Sequence, residues 1–168
     1  MQICADQQHR AEIEALLDRN LGPERAEKTA YRLRIGAEPI FGLSLITQTA
    51  SRIVASVQYW PVQLIENDGR STGLTLLGPI IVDTDYREMG FGSQLMRASL
   101  LAADQAGHRA IVLVGDPEYY GRFGFSADNT AGWVLPGPFE PHRLLLRASA
   151  DVRLPVAARL AAMRKSAQ

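Results

Sequence analysis

Residues 82–93 read Val-Asp-Thr-Asp-Tyr-Arg-Glu-Met-Gly-Phe-Gly-Ser, and they decide the fold that we predict. They follow an apolar run at 74–82 and precede a segment at 93–106 that is rich in Leu, Ala and Met, so they join a buried strand to a helix. Gly90 and Gly92 stand where that helix begins. Glycine there lets the free N–H groups of the first helical turn approach a bulky anion. The stretch predicts either a phosphate-binding loop or a tight turn in which the glycines serve geometry alone.

Two well-known phosphate loops fit this stretch poorly. A dinucleotide-binding fingerprint needs a third small residue where Leu95 stands, and a first strand near the N-terminus. A P-loop needs Gly-Lys followed by Ser or Thr, and the sequence contains no Gly-Lys pair. If the loop binds an anion, it does so in another way, with Arg87 adding a permanent positive charge.

The elements around the loop predict an α/β fold in a single domain over residues 1–168. The strand–helix–strand order from 74 to 114 implies that two buried strands pair in parallel. Predicted strands lie at 41–48, 52–60, 74–82, 110–114, 132–135 and 143–148, with a turn at 66–70. Predicted helices lie at 6–20 with Asp6 as N-cap, at 23–33, 93–106 and 117–123, and at 154–165, where the tail reads as a basic amphipathic helix.

The composition excludes several classes of protein. The 168 residues include 18 Lys plus Arg and 18 Asp plus Glu, a net charge of zero that argues against a broad basic face for nucleic acid. The single cysteine, Cys4, forms no internal disulfide, and no Cys/His cluster has metal-ligand spacing, so we predict no metal. Neither a signal peptide nor a run of ~20 apolar residues is visible, so we expect a cytoplasmic protein that does not enter a membrane.

Two motifs in order carry a resemblance to a known family. Arg87-x-x-Gly90-x-Gly92 after a strand that ends at Val82 resembles the acetyl-coenzyme A (acetyl-CoA) pyrophosphate loop of the GNAT N-acetyltransferase superfamily. Residues 115–125, Gly-Asp-Pro-Glu-Tyr-Tyr-Gly-Arg-Phe-Gly-Phe, resemble the Tyr-x-x-x-Gly-Phe segment of that family, in the form typical of its YhbS-like branch. The resemblance is close over 74–125 and only architectural elsewhere.

The resemblance implies a GNAT (acyl-CoA N-acyltransferase) fold. Such a fold has a mixed, mostly antiparallel sheet with a splayed central pair of parallel strands, flanked by helices. A bulged, splayed strand would explain Gly78-Pro79 inside an apolar run, where proline cannot donate a strand hydrogen bond. Donor-binding residues carried over from the family are Ile80, Ile81, Val82, Arg87, Glu88, Met89, Gly90, Phe91, Gly92, Ser93, Asp116 and Tyr119.

The resemblance also implies the reaction, transfer of the acetyl group of acetyl-CoA to a primary amine by direct attack. The backbone N–H of Val82 would polarise the thioester carbonyl. Tyr120, a phenol with an ordinary pKa near ~10, would act as general acid on the departing thiolate. Asp116 either hydrogen-bonds the pantetheine or caps the short helix. The alternatives are a non-catalytic acyl-CoA sensor or regulatory module and, less closely, a nucleotide-dependent kinase-like enzyme.

The acceptor side is less determined. Tyr59 and Trp60 end a predicted strand near the place where relatives bind the acceptor amine, and Trp133 and His142 are further candidates for that region. No residue is singled out as general base among four candidate carboxylates, which are Glu66, Asp68, Asp83 and Glu118. The acceptor's identity stays open, and homodimerisation is compatible with the apolar face of the tail.

Overall fold

The computed structural model describes residues 2–5, 9–50 and 52–164. The strands are β1 (Gln2–Ala5), β2 (Leu45–Gln48), β3 (Ile53–Ile65), β4 (Ser71–Val82), β5 (Ala110–Val114), β6 (Gly132–Val134), β7 (Leu144–Ala148) and β8 (Ala157–Ala162). The α-helices are α1 (Arg10–Leu21), α2 (Thr29–Arg32), α3 (Phe91–Gln105) and α4 (Pro117–Tyr120). Short 3-10 turns lie at Pro23–Glu27, Thr84–Tyr86, Gly121–Phe123 and Pro141–Arg143.

The chain forms two compact units, each drawn from three separate stretches. The first unit comprises Met1–Ala26, Pro39–Tyr59 and Leu77–Gly107; the second comprises Glu27–Glu38, Trp60–Leu76 and His108–Gln168. Strands β3 and β4 supply residues to both. Neither unit is a continuous stretch, so they are not sequential domains, and the single domain over 1–168 stays a prediction.

In the first unit, helix α1 buries one face against strand residues. Ile13, Leu16 and Leu17 recur at the spacing of a helical face and are almost completely buried. They form a core cluster with Ile46, Ile53 and Ile81. Strands β1 and β2 pair antiparallel, as do β2 and β3. The helix ends at Gly22, whose φ of +77° favours glycine, and Pro23 follows it.

Helix α3 also belongs to the first unit and follows the predicted apolar spacing. Its buried residues are Phe91, Leu95, Met96, Ser99, Leu100 and Ala103. Ser99 Oγ lies 2.8 Å from the hydroxyl of Tyr59, so a buried phenol and a buried serine satisfy one another. This pair fixes Tyr59 inside the core of the unit.

In the second unit, the predicted parallel pairing is present. Strand β4 pairs parallel with β5 through Thr75 with Ile111 and Leu76 with Val112. Strands β5 and β7 pair antiparallel, β8 pairs antiparallel with β3, and β6 pairs parallel with β8. The predicted turn at 66–70 joins β3 to β4, with the N–H of Gly69 donating to the carbonyl of Glu66. The mixed α/β fold that the sequence implied is therefore confirmed.

The irregular point of β4 lies at Gly78 and Pro79, where the sequence raised a conflict. Their peptide bond is cis, and Gly78 has a φ of +131°, a value that favours glycine. Three residues upstream, Thr75 Oγ1 lies 2.8 Å from His108 Nδ1. The strand thus departs from regular extended geometry between its paired half and its carboxyl end.

The predicted tail helix at 154–165 is wrong, because the structure has strand β8 there. Ala158 and Leu160 are buried while Ala157 and Arg159 are exposed, which is the period-two alternation of a strand. Residues with good helix propensity lie in this strand because β3 and β6 offer it pairing on both sides.

Other element boundaries also differ from the sequence interpretation. Strand β1, which places Cys4 opposite Ile46, was not predicted from the sequence. The helix at 23–33 is broken into a 3-10 turn and the short α2. The N-cap proposed for the first helix, Asp6, lies outside the described residues, and the described helix begins at Arg10 after His9.

Candidate active site

The predicted phosphate loop begins at a buried carboxylate, Asp83, which is only 5% exposed. The backbone N–H of Asp83 donates to the carbonyl of Val54 (2.8 Å). One carboxylate oxygen accepts from the N–H of Asp85, and the other lies 3.2 Å from the guanidinium of Arg19 and 3.6 Å from that of Arg52. Asp83 therefore fixes the point where the chain leaves β4.

The ionisation of Asp83 follows from these partners. Burial raises its pKa, but the hydrogen bond from the Asp85 backbone and the charges of the two arginines outweigh burial. The net effect holds the pKa of Asp83 below its usual range, so the carboxylate is charged at neutral pH. The carboxylate of Asp83 already interacts with the Asp85 backbone and with two arginines, so it is poorly suited to act as general base.

The next residues of the loop are held from both sides within the first unit. Asn20, near the end of α1, accepts hydrogen bonds from the backbone N–H (3.1 Å) and the hydroxyl (2.9 Å) of Thr84. The ring of Tyr86 lies 6.3 Å from that of Phe91, and the guanidinium of Arg52 lies 5.8 Å from its centre. The loop is thus fixed by α1 on one side and by the start of α3 on the other.

The loop's apex has the features expected of an anion cradle. Gly90 caps α3 with a φ of +78°, and a Cβ placed on it would meet only Gln94 Nε2, at 3.9 Å. Arg87, Glu88 and Met89 are exposed, and Glu88 holds a φ of +71° that is unusual for a residue with a side chain. No side chain caps the start of this 15-residue helix, and the space beside Gly90 is open apart from Gln94, so the residues present fit a bound pyrophosphate.

The direction of the backbone N–H groups at the end of β4 follows from one hydrogen bond. Because the N–H of Asp83 faces Val54, and successive residues of a strand direct their N–H groups to alternate edges, the N–H of Val82 faces the other edge of β4. The side chain of Ile81 is buried in the first unit's core, while Ile80 and Val82 are half-buried. A role for the N–H of Val82 in binding the donor stays a prediction.

In the second unit, the predicted general acid Tyr120 ends helix α4 directly over Gly115. A Cβ on Gly115 would collide with Tyr120 Cε2 and would lie 2.8 Å from Cδ2. The ring of Tyr119 packs edge-on against that of Tyr120 at 4.9 Å, and Phe125 lies at 6.3 Å. Among the described residues, no group hydrogen-bonds the phenol of Tyr120. The absence of a side chain at residue 115 thus lets the ring lie against the backbone.

The surroundings of Tyr120 keep its phenol protonated. Burial raises the pKa of Tyr120 to about 12, and the neighbouring Tyr119 and Asp116 act in the same direction. The positive charge of Arg143 opposes them. A phenol with this pKa carries its proton throughout the physiological range and is available as a donor.

Two other predicted residues of this segment have local contacts. Asp116 caps α4, since its carboxylate accepts from the backbone N–H of Glu118 (3.0 Å). Tyr119 lies beneath the guanidinium of Arg122, 4.6 Å from its ring centre, and packs 5.7 Å from Phe123. The capping role considered for Asp116 is present, while contact of either residue with the donor stays a prediction.

The predicted acceptor aromatics are in the core instead. Tyr59 is completely buried, Trp60 is 8% exposed, and both pack among core residues. Trp133 is likewise buried, with its indole N–H donating to the carbonyl of Pro155 at 2.8 Å. His142 is exposed. This burial argues against acceptor contact for the three aromatics, because their surfaces are already occupied by the protein.

A pocket of about 690 Å³ lies within the second unit, beside α2. We call it the α2 pocket; its lining residues are Glu27, Lys28, Thr29, Ala30, Arg32, Val114, Leu135, Pro138, Phe139, Glu140 and Arg143. Its volume lies in the range of small-molecule sites, ~300–1,000 Å³. No local sequence pattern predicts this pocket, because its walls come from segments about a hundred residues apart.

Two carboxylates that the sequence did not single out, those of Glu27 and Glu140, line the α2 pocket. Glu66 and Asp68 pair with Arg70 in the β3–β4 turn, and Glu118 is exposed on α4. None of these lines the α2 pocket, whereas Glu27 and Glu140 do. Candidates for taking a proton from an acceptor amine therefore lie outside the motifs.

Comparisons with known proteins identify the family of the chain. Residues 7–127 match the family described as "Acetyltransferase (GNAT) domain". The chain is 32% identical over 137 residues to the uncharacterized N-acetyltransferase YhbS of Escherichia coli K12. The aligned region covers 79% of this chain and 80% of that protein.

Solved structures share the fold. One is the GNAT family N-acetyltransferase YhbS from Escherichia coli in complex with CoA, with a TM-score of 0.76 and 24% identity, covering 96% of this chain and 89% of that one. Another is a GNAT family acetyltransferase from Brucella melitensis in complex with acetyl-CoA, with a TM-score of 0.68 and 24% identity, covering 96% and 95%.

The fold and the matched domain define the class of this protein as an acyltransferase enzyme. Within that class, the chain belongs to the GNAT acetyltransferase family and is similar to YhbS, which confirms the resemblance read from the two motifs. Across the described residues, no group of three or more His, Cys, Asp or Glu side chains could hold a metal ion. The same residues include no helix with the length and hydropathy needed to cross a membrane.

Proposed function

We propose that this protein transfers the acetyl group of acetyl-CoA to a primary amine by direct nucleophilic attack. The observation that carries the proposal is the position of Tyr120, a half-buried phenol that ends helix α4 with its ring against Gly115 and that keeps its proton at neutral pH. Such a group is suited to donate a proton to a departing thiolate. Similar folds that hold CoA and acetyl-CoA support the choice of donor.

The loop supplies donor binding in this proposal. The N–H groups at the start of α3 and the side chain of Arg87 bind the pyrophosphate, and Gly90 leaves space for it. Backbone groups of residues 80–82 pair with the pantetheine arm as an added strand would. The N–H of Val82 donates to the thioester carbonyl oxygen, where negative charge develops.

The transfer step balances without any further reactant. The amine nitrogen bonds to the thioester carbonyl carbon, and the carbon–sulfur bond breaks. Tyr120 gives its proton to the departing sulfur, and the proton lost by the amine restores the phenol through solvent. An amine with an ordinary pKa near ~10.4 must first lose a proton, and we assign its acceptance to Glu27 or Glu140, the two carboxylates that line the α2 pocket.

The test of the proposal is Tyr120→Phe, which removes the hydroxyl and keeps the ring over Gly115. We expect kcat for acetyl transfer to fall about 100-fold with the Kd for acetyl-CoA unchanged, because the proton is needed only as sulfur departs. Tyr119→Phe is the matched control, since it removes a neighbouring hydroxyl from the same short helix, and we expect it to keep its kcat.

The results separate the alternatives. Unchanged turnover in Tyr120→Phe would remove the acid role from that residue. If the wild-type protein binds acetyl-CoA but acetylates no amine in a broad panel, the acyl-CoA sensor becomes the better description. Stabilisation by ATP with Mg²⁺ but not by acetyl-CoA would favour a kinase-like enzyme.

Cytoplasmic location and homodimerisation belong to the proposal as predictions of the sequence. The apolar helix face that suggested a dimer is replaced by strand β8, which is paired on both sides.

A further inference from the structure

The α2 pocket has an apolar floor and a charged rim. Val114, Leu135 and Phe139 are buried or half-buried, and they pack with the core cluster of the second unit. The rim carries Glu27, Lys28, Arg32, Glu140 and Arg143. A ligand that fits this arrangement has an apolar body and at least one charged end.

Arg32 is held in place by the backbone opposite it. One terminal nitrogen of its guanidinium donates to the carbonyl of Pro136 at 2.8 Å. A Cβ on Gly137 would lie 2.8 Å from the same nitrogen, so glycine permits the approach. Thr29 adds a second tie across the pocket by donating to the carbonyl of Pro138 at 2.5 Å. The remaining N–H groups of Arg32 are left for a ligand.

The charges of the rim are unevenly matched. Arg143 and Glu140 are partners of opposite charge, 3.6 Å apart. Among the described residues, Lys28 and Arg32 form no salt bridge with an acidic side chain, and Glu27 forms none with a basic side chain. Two unmatched cations and one unmatched anion complement a ligand that carries a carboxylate and an amine.

The α2 pocket also adjoins the tyrosine assigned as general acid. Arg143 lines the pocket and directs its Nε toward the carbonyl of Gly115, at 3.4 Å. Gly115 is the residue over which the ring of Tyr120 lies, and Val114 of the pocket floor immediately precedes it. A molecule in the pocket is therefore close to the residue that acts on the departing sulfur.

We propose that the α2 pocket binds the acceptor as an amino acid with an apolar side chain, whose carboxylate is held by Arg32 and Lys28. The inference rests on the acetyl transfer proposed above and names its substrate class. Arg32 offers a planar pair of donors that matches a carboxylate, and Lys28 adds a point charge. The apolar side chain lies on Val114, Leu135 and Phe139. The product is the N-acetyl amino acid, with CoA released as the thiol.

The first experiment compares three acceptors that differ at one position. L-Phenylalanine has the carboxylate, 2-phenylethylamine lacks it, and L-phenylalaninamide replaces it with a neutral amide that also stands in for a peptide N-terminus. We expect kcat/KM for phenylalanine to exceed that of each of the others at least about tenfold. Product formation is followed by thiol release and checked by mass.

The second experiment changes Arg32→Met, with Arg10→Met as a control at an exposed position on α1. Arg32→Met should raise KM for phenylalanine at least about tenfold while leaving kinetics with 2-phenylethylamine unchanged. Arg32→Lys, which keeps the charge, should recover part of the loss. The melting temperature of each variant is recorded, since Arg32 also contacts the backbone at Pro136.

The outcomes distinguish this inference from the proposed function. Equal or better use of 2-phenylethylamine, or an equal loss with both acceptors in Arg32→Met, would overturn the carboxylate site and leave the acetyltransferase intact. Preference for phenylalaninamide would point to a peptide instead. If acetyl-CoA binds and no amine of any class is acetylated, the proposed function itself fails and this inference fails with it.

Discussion

At the scale of single residues, a substitution at Gly90 tests whether this glycine is needed for the turn or for ligand binding. Gly90→Val is expected to abolish acetyl-CoA binding, because its side chain would enter space that only Gln94 borders in the protein. Binding is measured by calorimetry with CoA. Retained wild-type affinity would contradict the assignment of the loop.

The control for that variant is Gly107→Val. Gly107 follows α3 with a φ of +82°, and a Cβ there meets nothing within 4 Å. Both substitutions force a branched residue into the left-handed region, at a cost of about 1–2 kcal/mol each. If both variants lose a similar amount of stability and only Gly90→Val loses affinity for CoA, the space beside Gly90 is occupied by the ligand.

At the scale of elements, the turn at Thr84–Tyr86 depends on one buried charge. Asp83→Asn should lower the free energy of unfolding by about 1–3 kcal/mol at pH 7, since Arg19 and Arg52 would lose their shared partner. Asp85→Asn, at an exposed carboxylate 3.4 Å from Arg52, is the control and should change stability by under about 0.5 kcal/mol.

The pH dependence of the same variant has a definite sign. Because the folded-state pKa of Asp83 is depressed, its contribution is present above the unfolded-state pKa of ~3.9 and is lost as pH falls through the lower folded value. Urea titrations at pH 7, 5 and 3 should therefore show the difference between wild type and Asp83→Asn shrinking only at the lowest pH. A constant difference would contradict the ionised role of Asp83.

The elements also show what local pattern determines. Helix α3 was predictable because apolar residues recur at helical spacing, and Tyr120 and the loop could be proposed as site residues because they lie in short motifs. Strand β8 was not, because Ala157–Ala162 suits a helix until two strands pair with it. The burial of Tyr59 depends on Ser99, forty residues away, which strand pattern alone does not reveal.

At the scale of the whole molecule, donor binding should appear as thermal stabilisation. Acetyl-CoA at 100 times its Kd should stabilise the fold by about 2.7 kcal/mol. For a chain of this size that corresponds to a rise in Tm of roughly 5–10 °C. Differential scanning fluorimetry with acetyl-CoA, and with ATP plus Mg²⁺ as the comparison, measures it. An equal rise with ATP would argue against a donor site selective for acyl-CoA.

The zero net charge of the chain gives no indication of these sites. The anion site proposed at the start of α3 relies on backbone N–H groups, and the α2 pocket has three cations and two acids among its lining residues. Neither arrangement contributes a signal to a net charge summed over 168 residues. The ligands proposed above therefore depend on local geometry rather than on overall charge.

The position of one pocket wall along the chain has a consequence for how such enzymes diversify. Residues 135–143 of the α2 pocket lie beyond the stretch 7–127 that matches the family. If the α2 pocket binds the acceptor as proposed, the choice of acceptor depends on a wall that lies outside the matched domain, while the proposed donor site lies inside it. Replacing residues 135–143 with the corresponding residues of another family member is accordingly expected to change the acceptor that the enzyme uses.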